Sequence, residues 1–186
     1  MMGKSTKYCM IIGAMLMFFS IPASAQRTIS GQSALGLSAR YNGTSVGAEA
    51  FYSQYTLNGY WNAGITGDLY ATPLSTGDKM NYMDVAAAGG YMFRLVGTRN
   101  RAFNLYAGAG AFAGVEWIDP ASRLPKHIVT GLPTVQFIYG VYMRMGVECF
   151  LGTRVALTLS GVLPVNFSSK ITMLHYGGEA GIKILL

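Results

Sequence analysis

From residue 102 to residue 149 the chain alternates between apolar and non-apolar positions with a period of two. Phe103, Leu105, Ala107, Ala109, Ala111, Ala113, Val115 and Trp117 share one side of the first run, and Asn104, Tyr106, Gly108, Gly110, Phe112, Gly114 and Glu116 share the other. In the second run Val135, Phe137, Tyr139, Val141, Met143, Met145, Val147 and Cys149 alternate with Gln136, Ile138, Gly140, Tyr142, Arg144, Gly146 and Glu148. Period two means strands, because successive side chains of an extended chain point to opposite faces. One face here is apolar and the other carries charges and glycines, the pattern of a transmembrane barrel.

The same alternation predicts eight segments, at 34–42, 45–56, 59–71, 81–96, 102–117, 133–150, 154–167 and 173–186. A tilted strand needs about 9 to 11 residues to cross a bilayer, and an even count suits closure. Tight turns are expected at Asn58-Gly59, at Gly97 to Arg101 and at Gly152-Thr153, where the residues tolerate unusual backbone angles. Longer loops are expected at 72–80 and 118–132, a moderate one at 168–172, and a short one near Asn42 to Thr44. Short periplasmic turns and long external loops assign the first set to the periplasm. Outward aromatics then gather at both ends: Tyr52, Trp61, Tyr91, Phe93 and Phe103 at one, and Tyr41, Trp117, Phe137, Tyr139, Phe167 and Tyr176 at the other.

The inward positions hold Arg40, Glu49, Asp68, Asp84, Arg94, Glu116, Arg144, Glu148, Glu179 and Lys183, with Tyr60, Tyr70, Tyr106, Phe112 and Tyr142 among them. An eight-stranded barrel is just wide enough to be filled by side chains, so these charges are expected to pair with one another and plug the lumen. A soluble lipocalin-like barrel has the same strand count but points its apolar face inward, which would bury this charged face and wet the apolar rows. The fold class expected is therefore all-β, an antiparallel eight-stranded outer-membrane barrel with a filled interior. Inward glycines such as Gly64, Gly108, Gly110, Gly114, Gly140, Gly146, Gly177 and Gly181 leave room for the large residues facing them. Pro164 belongs at a rim or bulge, where its missing donor is tolerated.

The N-terminus adds an address. Lys4 and Lys7 precede an apolar stretch from Cys9 to Ile21 that ends in Ala23-Ser24-Ala25. This is the form of a secretory signal peptide over residues 1–25, leaving 26–186 as the barrel domain with its N-terminus in the periplasm. About 13 apolar residues are too few for a spanning helix, which needs about 20. Thr6, Lys7 and Tyr8 before Cys9 do not resemble a lipidation site. The full chain carries 14 basic and 8 acidic residues, a mild excess that would suit nucleic acid, but the charges fall along the inward face of strands. Cys149 is left without an internal disulfide partner once Cys9 is removed.

Candidate chemistry is sparse. His175 and Glu179 share a face of the last segment, but residues four apart on a strand lie about 13 Å apart, too far for a base and its orienting acid. His127, near Asp119, Arg123 and Lys126, has no second histidine or cysteine at ligand spacing and reads as a solvated loop. Gly108-Ala109-Gly110 is followed by no helix and no phosphate-cradling lysine. Arg99, Arg101 and Arg154 mark the periplasmic turns. The reading is of a protein that is not an enzyme, with no catalytic, cofactor-binding or metal residues and no small-molecule substrate.

Several segments carry a family resemblance. Gly89-Gly90-Tyr91-Met92-Phe93-Arg94-Leu95, Asn104-Leu105-Tyr106-Ala107-Gly108, Gly114-Val115-Glu116 and Phe137-Ile138-Tyr139-Gly140, with the closing glycine-rich strand, resemble the conjugal transfer protein TraO family of Bacteroides-type conjugative transposons. Glu179-x-Gly181-x-x-Ile184-x-Leu186 is similar to a barrel-assembly signal, although it ends in leucine rather than an aromatic residue. The resemblance implies an outer-membrane part of a conjugative apparatus, in contact with membrane lipids and with other transfer proteins. It supplies no catalytic residues. A filled barrel of this size is not expected to be the DNA channel itself. The alternative is a small adhesin or envelope-stabilising barrel that binds ligands through its external loops.

Overall fold

The structure, a computed structural model, describes residues 30–73, 79–98, 102–118, 135–169, 174 and 176–186. The signal segment, Arg99, Arg101, the loop carrying Asp119, Arg123, Lys126 and His127, and His175 lie outside the described residues. Eight strands follow one another: β1 (Ser33–Tyr41), β2 (Ser45–Tyr55), β3 (Gly59–Pro73), β4 (Lys79–Gly97), β5 (Phe103–Ile118), β6 (Val135–Leu151), β7 (Val155–Asn166) and β8 (Gly177–Leu185). Each pairs antiparallel with the next, and β1 pairs with β8, closing the barrel. Closure leaves no sheet edge, so backbone donors and acceptors find partners within the wall, as a lipid surround requires.

The alternation in the sequence becomes the two faces of the wall. Along β6 Gln136, Ile138, Gly140, Tyr142 and Arg144 are buried, and Val135, Phe137, Tyr139, Val141 and Met143 are exposed. The outward surface elsewhere is Leu35, Leu37, Ile65, Leu69, Met145, Leu159, Ile182 and Ile184, so the apolar residues lie outside and the polar ones inside. This is the inverse of a soluble core and fits lipid as the solvent. Outward aromatic rings meet near both ends: the ring centres of Trp61 on β3 and Tyr91 on β4 are 4.9 Å apart, those of Tyr91 and Phe93 along β4 4.6 Å, and those of Tyr139 on β6 and Phe167 just past β7 6.2 Å.

The barrel has two unlike rims. The terminal rim is where the chain enters β1 and leaves β8. It carries the turn in which Thr56 N donates to Gly59 O at 2.8 Å, and the turn containing Gly152 at a φ of 77°. The far rim carries the short connection Asn42–Thr44, where the Asn42 side chain accepts from Thr44 N at 3.0 Å and Ser45 N at 2.6 Å. Gly43 there sits at a φ of 86°, a conformation that costs glycine nothing sterically.

Three details depart from a strict period of two. In β4 the register shifts between Arg94 and Val96, so that Leu95 (53%) and Val96 (63%) are consecutively exposed. One extra residue in one strand does this. β8 begins at Gly177 rather than near 173, and of the residues before it Leu174 forms an isolated bridge with Val165. β3 and β4 run on as a paired hairpin to Pro73 and Lys79, past the expected loop edges at 72 and 80. Pro164 lies between the last β7–β8 pair, Val162 with Gly177, and the isolated bridge of Val165 with Leu174, so its missing donor falls where that ladder is interrupted near the rim.

Candidate functional site: the charged interior

The inward side chains form three tiers. Nearest the terminal rim, Lys183 on β8 pairs with Glu148 on β6, and both are 2% exposed. Tyr55 Oη donates to Glu148 Oε2 at 3.1 Å, and Lys183 Nζ lies 3.7 Å from the centre of the Tyr60 ring. Tyr60 stacks edge-on against Tyr106 at 4.9 Å, so this ion pair is packed in an aromatic collar. Burial of this kind is tolerated only when both charges are compensated.

The middle tier ties opposite walls. Arg144 on β6 reaches across the lumen to Glu49 Oε2 on β2 at 2.6 Å and to Glu179 Oε2 on β8 at 3.3 Å. Arg40 on β1 donates from Nε to Glu179 Oε1 at 2.6 Å and from Nη1 to Asp68 Oδ2 at 2.9 Å, with Glu49 at 3.6 Å. Two guanidiniums thus share three carboxylates, a geometry suited to their forked donors. Glycine makes the crossing possible, because a Cβ at Gly47 would fall 1.9 Å from Asp68 Oδ1. Arg40 and Glu179 also face each other directly across the β1–β8 closure.

The far tier is acidic. Register places Asp68, Asp84, Glu116 and Gln136 side by side on β3, β4, β5 and β6. Glu116 accepts from Gln136, and from Ser169 Oγ at 3.1 Å. Asp84 makes no ion pair among the described residues, and its Oδ1 is buried without a protein donor. Tyr70 and Tyr82 stack at 4.4 Å on the next inward row toward the rim.

All ten sequence-predicted residues therefore fall on inward positions, but they do not form one network. Arg40, Glu49, Asp68, Arg144 and Glu179 are joined, and Glu148 and Lys183 form a separate pair. Asp84 and Glu116 stand apart from the cations. Arg94 sits at the terminal rim and donates from Nη2 to Leu57 O at 3.3 Å; among the described residues it has no ion pair. Tyr55, Asn166 and Ser169 were not singled out in the sequence, although Tyr55 continues the alternation of Glu49, Phe51 and Ser53 and was legible on that ground. Among the described residues no group of three or more His, Cys, Asp or Glu side chains is placed to enclose a metal.

Comparison with solved structures gives the fold. The chain is similar to Ail, the attachment invasion locus protein of Yersinia pestis (TM-score 0.52, 13% identity, 85% of this chain and 100% of that one). It is also similar to the Neisserial surface protein A (TM-score 0.52, 14% identity, 82% and 94%). The N-terminal barrel domain of Pseudomonas aeruginosa OprF matches with a TM-score of 0.51 at 9% identity, over 84% and 98%. At such identities these likenesses establish the outer-membrane type of eight-stranded barrel and nothing about activity. No curated protein sequence matches this chain. The conjugative transposon protein TraO family matches residues 29–186, the whole barrel, and the chain belongs to that family.

Proposed function

We propose that this protein is a non-enzymatic outer-membrane component of a conjugative transposon's DNA transfer apparatus, serving as a structural or assembly partner rather than as the conduit. The observation that carries the reading is the Arg144 bridge from β6 to Glu49 and Glu179. A lumen tied across its middle by buried ion pairs has no room for a nucleic acid strand. Family membership supplies the process, and the crossed lumen supplies the exclusion.

In this reading the first 25 residues are removed on export, the terminal rim faces the periplasm and the far rim faces outward. Outer-membrane lipid covers the apolar wall, and the rims are the surfaces left for other transfer proteins. An enzyme would need a nucleophile or an acid–base pair open to substrate, and the inward carboxylates are instead held by guanidinium, ammonium, amide and hydroxyl donors or enclosed in the lumen.

The test is conjugation frequency from a donor with the gene deleted in frame and restored on a plasmid. A large, complementable loss is expected. Normal transfer would overturn the proposal and favour an adhesin-like barrel acting through the loop around 118–132.

A further inference from the structure

Among the described residues the charges inside the lumen do not balance. Six carboxylates, those of Glu49, Asp68, Asp84, Glu116, Glu148 and Glu179, face three cations within the lumen, Arg40, Arg144 and Lys183, with Arg94 apart at the terminal rim. The pairing described above uses all three cations in the terminal and middle tiers. The deficit is concentrated in the far tier, where Asp84 lies directly opposite Asp68 on one side and Glu116 on the other. Like charges directly opposite across a strand pair repel, and a buried carboxylate without a donor or a cation is costly.

A cavity of about 40 Å³ opens beside this row, lined by Asp68, Asp84, Arg40 and Asn166 among others. One water needs roughly 10–15 Å³ by the same measure, so the cavity has space for a few. Asn166 enters it from β7, the opposite wall. It is 5% exposed, and its Oδ1, like Asp84 Oδ1, has no protein donor. Two buried oxygen acceptors from opposite walls, one of them anionic, thus line one small polar space. Asp68 is turned over Gly47 toward Arg40 and adds its charge to the space rather than a ligand at its centre. The two arginines on the cavity wall are held by Glu49, Asp68 and Glu179 and have no contact with Asp84 among the described ion pairs.

We propose that this cavity binds one hydrated divalent cation, held by the Asp84 carboxylate and the Asn166 side-chain oxygen with water completing its shell. Oxygen donors select hard ions, and an ion of this class is commonly held by only one or two carboxylates while it keeps several waters. Its charge would offset two of the three negatives left uncompensated among the described residues. The proposal is independent of any role in DNA transfer.

The test uses the full barrel refolded in detergent micelles. Equilibrium dialysis against labelled calcium should find about one ion per barrel, with Kd on the order of 10⁻⁴ to 10⁻³ M, the range of weak oxygen-ligand sites. Asp84→Asn should weaken binding at least tenfold, and Asn166→Leu should weaken it less. Terbium offers a second readout that needs no variant: Tyr70, which also lines the cavity, should sensitise its emission, and calcium should quench that emission by displacement. Absence of saturable calcium binding, or terbium emission that calcium does not displace, overturns the proposal. So does a thermal midpoint that Asp84→Asn raises while calcium leaves the wild type unchanged, because the carboxylates would then be sharing a proton. A calcium effect reproduced by sodium chloride at equal ionic strength is screening and overturns it as well.

Discussion

Replacing Lys183 with methionine isolates the energetic logic of the interior. The substitution keeps an unbranched side chain of similar volume among Tyr55, Tyr60 and Phe51, so little packing is lost. It removes the ammonium from Glu148 and leaves that carboxylate, 2% exposed, with the Tyr55 hydroxyl as its donor. Removing one partner of a buried ion pair costs about 3–5 kcal/mol, and the lost contact with the Tyr60 ring adds about 0.5–2 kcal/mol. Both groups are buried, so no discount for solvent screening applies. Changing Glu148 to methionine as well removes the stranded charge, and the double variant is expected within about 2 kcal/mol of the wild type, because apolar replacement of a buried pair is often neutral. Urea unfolding of the barrel in lipid vesicles, followed by tryptophan fluorescence, supplies the four corners of the cycle. The chain has two tryptophans, Trp61 near the terminal rim and Trp117 near the far rim, which report on both ends. A Lys183→Met variant that loses less than about 1 kcal/mol, or single effects that simply add in the double variant, would refute the reasoning.

The outer wall makes a complementary prediction: Leu159→Arg, at an outward position 61% exposed, should destabilise the membrane-inserted barrel by about 2–4 kcal/mol, and Tyr176→Arg near the far rim by about 0–1 kcal/mol. Equal costs in the same urea assay would mean that the apolar band has been placed wrongly. Gly110→Val should cost about 1–3 kcal/mol or prevent folding, because a Cβ there would lie 2.3 Å from Gly89 O and 2.5 Å from Tyr142 Cζ. Gly161→Val should be tolerated, since nothing lies within 4 Å of its Cβ position, and the heat-dependent gel mobility of the two proteins compares them directly. In planar bilayers the wild type should show no large, stable conductance, and a steady wide-open current would contradict the Arg144 crossing.

Much of the fold was legible because lipid outside and charge inside impose opposite demands on alternate residues. The bounds of β2 and β5 fall within a residue of the expected segments for this reason. A bulge is invisible to a period count, so the exposure of Leu95 and Val96 together was not foreseen. Ahead of β8, Leu174 keeps the alternation and bridges Val165, but among the described residues the continuous strand starts only at Gly177. The interior was legible as a set of positions and not as a set of partners. Nothing in β6 alone says that Arg144 spans the lumen to β2 and β8, since that reach depends on strand stagger and on the room left by glycines. Arg94 has the right parity for the interior, but its strand is about to leave the barrel, and height along a strand is harder to read than face.

The meeting of Arg40 and Glu179 across the closure has a consequence for how the chain completes itself. β1 and β8 are the first and last strands, nine residues each, and they come together only when the ring shuts. A slip of one residue at this joint would turn the apolar face of one of the two strands into the lumen. A slip of two keeps the faces right, so hydrophobicity alone discriminates against it poorly. In that case Arg40 would stand opposite Gly177 or Gly181 instead of Glu179, and an opposed cation and anion on neighbouring strands would no longer face each other. The two ends of the chain therefore carry a lock and its key, and the correct alignment is the one in which they engage.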